Sequence, residues 1–236
     1  MNARLVGRRI VAAGTLAFEI EPADGFEFKA GQTCDVTIPQ PAYTDDAGSS
    51  RTFSIASAPG AGPLLFATRL TGSAFKRALS EMTPGSPLDL DGPYGSFTLH
   101  HNAARPAIML AGGIGITPFR SMIEDASRRR LPHRITLLYS NNTASSTAFL
   151  DDLQRWAADN PNFRLAPTIT AGVAGEPWTF QTGLINAAFM KGHVPDPANS
   201  VFYAAGPAGF VTAMTRLAVE IGADPDNVKS EEFPGY

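Results

Sequence analysis

The chain has 236 residues, enough for two small domains with a core each, and its 44% hydrophobic and 17% charged residues are an ordinary balance for a folded protein. A formal net charge of −3 supplies no bulk attraction to nucleic acid or to an anionic membrane. The single cysteine, Cys34, excludes an internal disulfide, a Cys-ligated zinc site and an iron–sulfur cluster held by this chain alone.

From residue 3 to about 99, short apolar alternations are separated by turn signals: ARLVGRRIVA, LAFEIEP, TCDVTIP, RTFSIAS, LLFATRL and SPLDLDGPYGSFTL. Strands of this length and spacing predict a small antiparallel barrel. Cys34, in TCDVTIP, reads as a small buried strand residue. Only Ala74–Met82, between Gly72 and Pro84-Gly85, reads as a helix in this half. The polar segment HHNAARP (100–106) ends in proline and marks the expected boundary, giving domains at 1–102 and 103–236. Apolar stretches are broken by Gly or Pro too early to span a bilayer. The amino terminus lacks the charged, apolar and small-residue order of a signal peptide, so a cytoplasmic location is expected.

After the boundary the pattern changes to apolar strands alternating with amphipathic helices. They are AIMLA, PFRSMIEDASRRR, RITLLYS, AFLDDLQRWAADN, FRLAPTIT, a helix near LINAAFM, SVFYAAG and AGFVTAMTRLAVEIG. This order predicts parallel β/α units with sites at the carboxyl ends of the strands. Gly112-Gly113-Ile114-Gly115 follows the first of these strands directly. Glycines there let the backbone approach an anion while the next helix directs its first N–H groups at it. Pro118 is at home in the first turn of that helix, where a missing N–H costs nothing. The histidines at 100, 101, 133 and 193 have no metal-ligand spacing and read as polar loop residues, and Asp45-Asp46-Ala47-Gly48 reads as a turn.

In RTFSIASAP (51–59) an arginine, an aromatic ring and a hydroxyl lie along one predicted strand. The segment resembles the arginine–x–aromatic–serine motif of the ferredoxin–NADP⁺ reductase superfamily, flavoenzymes that pass electrons between a nicotinamide and one-electron partners. RLTGSAFKRAL (69–79), GPYGSF (92–97), GGIGITP (112–118), AAGPAGF (204–210) and EEFPGY (231–236) follow in the family's order. The resemblance implies a two-domain fold, an antiparallel β-barrel that binds flavin followed by an α/β parallel-sheet domain that binds nicotinamide.

It also implies residue roles. Arg51 would pair with the flavin's phosphates, Phe53 would pack on the isoalloxazine or ribityl chain, and Ser54 would reach the N5 edge, with Thr52, Ile55 and Arg69 among the cofactor-binding residues. The helix start at Ser73, Ala74, Phe75 and Lys76 would receive a pyrophosphate, which points to FAD rather than FMN. Gly112, Gly113, Gly115, Thr117 and Pro118 would form one nucleotide-facing turn, Gly206 and Pro207 a second, and Ser140, Asn141 and Asn142 the ribose segment. Relatives often carry an arginine near Asn142 for the 2′-phosphate of NADPH; its absence favours NADH. Ala205 stands where relatives often have a cysteine against the nicotinamide.

Glu231 and Phe233 would reach back to the flavin, with Tyr236 as an alternative stacking residue, so that Ser54, Glu231 and Phe233 form the expected catalytic set. The expected partner is a separate redox protein such as a ferredoxin, flavodoxin, heme protein or oxygenase component. No metal, nucleic acid or membrane insertion is expected. The alternative is a low-turnover nucleotide-sensing or assembly subunit of the same fold.

Overall fold

The computed structural model describes residues 1–172 and 177–233. The first half builds β1 (Asn2–Ala12), β2 (Thr15–Pro22), β3 (Thr33–Thr37), β4 (Ser50–Ser54), β5 (Leu64–Arg69), α1 (Ala74–Glu81) and β6 (Pro87–Tyr94). Its strands form an antiparallel sheet in the order β4-β3-β6-β1-β2-β5. The sheet curls until its two edges approach, and just past β4 the Ala56 N–H donates to Leu65 C=O at 2.7 Å. Alternation sends Leu5, Phe18, Ile20, Val36, Phe66, Leu88 and Leu90 into one core. Phe75, Ala78 and Leu79, spaced for one helix face, bring α1 onto that core. Cys34 is buried there as expected, and burial foremost pushes its thiol up to about 12.

The second half builds β7 (Ala107–Gly112), α2 (Ile116–Arg128), β8 (Ile135–Asn141), α3 (Leu150–Asp159), β9 (Phe163–Ile169), β10 (Gln181–Thr182), α4 (Ala187–His193), β11 (Val201–Gly206), α5 (Ala208–Glu220) and β12 (Val228–Glu232). These strands are parallel, in the order β10-β9-β8-β7-β11-β12. Every residue of β7 and of β11 is buried, as continuous apolar runs covered on both faces should be. The antiparallel barrel followed by a parallel sheet is the predicted fold class.

Three details differ from the sequence reading. The carboxyl-terminal segment VKSEE pairs with β11 as an edge strand, and the Phe233 N–H continues the ladder to Gly206 C=O at 2.9 Å. Its polar composition hides it, because the pairing is supplied by the backbone groups of β11. The helix expected from Ala148 starts at Leu150, after Phe149 has turned the chain at φ +61°. His100 and His133 lie outside helices and strands, as read, but their rings are packed rather than free in solvent. His100 lies 2.9 Å from the Tyr203 hydroxyl through Nδ1, and His133 Nε2 lies 2.8 Å from the His100 carbonyl oxygen, so the pair docks the connecting segment on the second half.

Apolar side chains join the halves: Ala56, Leu65 and Phe97 share one core with Ile114, Phe119, Met122 and Ile123. Polar contacts lock the same face. Ser121 Oγ donates to Ser57 C=O at 2.6 Å, Arg120 Nη1 to Ala56 C=O at 2.8 Å, and the Ala58 N–H to Glu124 Oε2 at 2.9 Å. α2 is thereby fixed against the segment that follows β4. No helix among the described residues is long and apolar enough to cross a membrane.

Candidate cofactor site

Between the barrel and the parallel sheet lies a cavity of about 560 Å³, a size that suits a cofactor. β4 contributes Arg51, Thr52, Phe53 and Ser54 to its lining, β5 contributes Arg69 and α1 contributes Lys76. The second half brings Ile114 and Thr117 from the start of α2, and Glu231, Glu232 and Phe233 from the end of the chain. Two buried oxygens in this lining, Ser54 Oγ and Glu231 Oε2, have no hydrogen-bond partner among the described residues. Leaving such a group unpaired costs about 1–3 kcal/mol each, so a ligand with polar edges fits the place. Burial pushes the Glu231 carboxyl up to about 7.

Of the residues expected to face a phosphate, Arg51 and Lys76 line this cavity, and Ser73 and Ala74 do not. Arg51 Nη1 donates to the carbonyl oxygens of Ala47, Gly48 and Ser50 at 2.7–2.9 Å, and its guanidinium lies 5.3 Å from the Phe75 ring centroid. Ser73 Oγ accepts from the Lys76 N–H at 3.4 Å and caps α1. Burial, and then the neighbouring Arg51 charge, lower the Lys76 pKa, as expected of two cations held close together.

Several expected residues send their side chains elsewhere. Ile55 and Phe75 are buried in the barrel core and bring no side chain to the cavity lining. The inward face of α1 turns Phe75 away from it. Phe53 borders the cavity, yet its ring also packs in the barrel, 5.4 Å from Phe18 and 5.9 Å from Phe75 between centroids. Thr117 Oγ1 is engaged with Ile114 C=O at 3.1 Å. Thr33 and Asp35 were not singled out in the sequence. The register of β3 on β4 sets them opposite Ser54 and Thr52, and Thr52 Oγ1 donates to Asp35 Oδ1. The polar alternation in TCDVT was the available signal, but only the register shows which side it faces.

In the parallel sheet, chain order reverses between β7 and β11, which opens a crevice at their carboxyl ends. Gly112 and Gly113 lie on one side of this crevice and Gly206 and Pro207 on the other, with Ser140 in register with Gly112. A Cβ on Gly115 would lie 2.2 Å from Ala205 O, and one on Gly206, where φ is +151°, 2.9 Å from Gly112 O. These two glycines are therefore required by backbone contact between the two loops. Pro118 is buried in the first turn of α2, and Pro207 stands immediately before α5. Asn141 is buried, its Nδ2 without a partner among the described residues, whereas Asn142 is exposed, its Oδ1 3.4 Å from Thr170 Oγ1. Ser140, Asn141 and Asn142 are at the end of β8 and do not line the barrel-side cavity. Tyr236 lies outside the described residues.

Residues 109–216 match the model of the oxidoreductase NAD-binding domain family. Over 223 residues the chain is 30% identical to ferredoxin–NADP reductase B of Sorangium cellulosum, covering 92% of this chain and 87% of that protein. The chain belongs to the ferredoxin–NADP⁺ reductase superfamily. As a member it is an FAD-containing NAD(P)H oxidoreductase. It is also 27% identical, over 88% of its length, to the terephthalate 1,2-dioxygenase reductase component 2 of Comamonas sp., of which it spans 60%. A ferredoxin–NADP⁺ reductase from Neisseria gonorrhoeae, solved with FAD and NADP, has the same fold at TM-score 0.80 and 21% identity, with 98% of each chain covered.

Proposed function

We propose that the chain oxidises NADH and passes the electrons one at a time to a separate carrier protein, with FAD held by residues 1–102 and the nicotinamide by residues 103–236. The observation that carries this reading is the single cavity in which Arg51, Ser54, Arg69 and Lys76 meet Thr117, Glu231 and Phe233. FAD, when bound, supplies the conversion between a two-electron hydride and single electrons. Arg51 and Lys76 offer the cationic end for its phosphates, and Ser54 offers a hydroxyl beside the ring. Glu231, with a pKa of about 7, can hold or release a proton at the same wall near neutral pH. Phe233, just past β12, lines the cavity from the sheet side. The glycine turn at 112–115 and the loop at 206–207 receive the pyridine nucleotide.

NADH is preferred because the exposed side chain at position 142 is an amide, with no cation to meet a 2′-phosphate. The carrier lies outside these 236 residues, since the lone cysteine here is buried and no cluster can be ligated by it alone. Relatives described as a ferredoxin–NADP reductase and a dioxygenase reductase component support a small redox protein as that carrier. The test is the visible spectrum of the purified protein, before and after anaerobic addition of NADH. One FAD per chain, bleached by NADH, is expected. Protein that takes up no FAD, or holds FAD that NADH leaves oxidised, overturns the reading and favours the sensing or assembly role.

A further inference from the structure

Beside Ala47 and Arg51 of the cavity lining, one carboxylate engages the kinds of group that an anionic ligand would use. Asp45 Oδ2 accepts the N–H of Ala74, the first residue of α1, at 2.8 Å. Asp45 Oδ1 lies 3.4 Å from Arg51 Nη2 and accepts the Ala47 N–H at 3.1 Å. A helix-start N–H and a guanidinium used together are what a phosphate oxygen seeks. Ser73 already serves as the side-chain cap of α1 through Lys76, so Asp45, reaching in from 29 residues earlier, is an addition to the ordinary cap.

The segment that carries it, residues 40–49 between β3 and β4, lies along α1 and touches it again at the far end. Tyr43 donates to Glu81 Oε2 at 2.7 Å, and the Arg77 guanidinium sits 3.8 Å over its ring. Tyr43 can stay anchored while Asp45 leaves, because its partners lie on the last turns of the helix and those of Asp45 at the first. Asp45 itself is exposed, so release into water is inexpensive for the carboxylate.

We propose that residues 40–49 form a strap latched by a phosphate-mimicking carboxylate, Asp45, which a phosphate-bearing flavin must displace to reach Arg51 and the start of α1. The proposal rests on the flavin-binding reading above and adds a determinant of how fast and how tightly the flavin is taken up.

The test compares full-length wild type with Asp45→Asn, each stripped of flavin. Stopped-flow fluorescence with FAD and with riboflavin gives association rates and affinities, and thermal unfolding is followed with and without inorganic pyrophosphate. Asp45→Asn is expected to bind FAD about fivefold faster and tighter, since the ion pair with Arg51 is gone and a neutral amide holds the Ala74 N–H less strongly than a carboxylate does. Riboflavin, with no phosphate, should bind both proteins alike. Pyrophosphate should raise the Tm of Asp45→Asn more than that of wild type. Equal FAD binding by the two proteins, or equal gains for FAD and riboflavin, overturns the latch and leaves the flavin reading intact. If neither protein binds a flavin, the flavin reading fails; the pyrophosphate shift still decides the latch, and equal shifts overturn it.

Discussion

Replacing Arg120 by alanine removes the group on which the two halves of the molecule converge. Its side chain is only 8% exposed, with Nη1 2.8 Å from Ala56 O and 3.2 Å from Glu124 Oε2, and Nη2 2.6 Å from Asp152 Oδ2. The guanidinium also lies 4.9 Å and 5.0 Å from the ring centroids of Phe149 and Trp156. Breaking a buried ion pair from one side costs about 3–5 kcal/mol. The low end applies here, because Asp152 keeps Arg155 at 2.7 Å and Glu124 keeps the Ala58 N–H at 2.9 Å. Adding the lost ring contacts gives about 3–4 kcal/mol for Arg120→Ala. In a chain of this size that lowers Tm by roughly 6–16 °C. Arg155→Ala is the control: that side chain is 60% exposed, and its loss should cost under about 1 kcal/mol.

The same network has an acid limb. Burial alone would raise the Asp152 carboxyl, but its hydrogen bond and ion pair with Arg120, supported by Arg155, hold it below its ordinary 3.8. The stability this provides is present above that value and is lost as pH falls through the lowered folded pKa. The gap between wild type and Arg120→Ala should therefore narrow in acid. Thermal unfolding of the three proteins at neutral pH and at low pH is the assay. A Tm loss for Arg120→Ala no larger than for Arg155→Ala would refute the reasoning.

Glu231→Gln should remove a pH-dependent penalty. With the folded pKa raised from 4.5 to about 7, wild type loses stability relative to the variant as pH rises between those values, and the difference then stays level. A Tm difference that does not change with pH across that interval would show that the carboxyl is not desolvated. Asn142→Arg should raise kcat/KM for NADPH about tenfold or more, the value of one charge-assisted hydrogen bond, and leave that for NADH within about twofold. A wild-type enzyme that already prefers NADPH contradicts the assignment of position 142.

Much of the fold was legible because its signals are local. Period-two alternation in the first half and continuous apolar runs joined by amphipathic helices in the second are set by neighbours a few residues apart. The glycines at 112–115 with Pro118 likewise announced a strand-to-helix turn, and the residues at 51–54 a strand bearing charge, ring and hydroxyl. Even there the side each residue faces was not local information, and Ile55 and Phe75 proved to belong to the barrel core. The strand β12 was hidden because its sequence is polar and its partner lies elsewhere in the chain.

What the sequence by itself determined, then, was two kinds of sheet in a fixed order and a set of chemically suited segments. Only the tertiary structure decided which of them share a wall. Arg120 reaches Ala56 across 64 residues, Asp45 reaches Ala74 across 29, and the Tyr203 hydroxyl accepts the His100 N–H across 103. Backbone propensity and side-chain periodicity carry no information over such separations. Those contacts arise when each sheet buries its apolar face against the other half, and the Glu231 carboxyl is desolvated as part of that same closure.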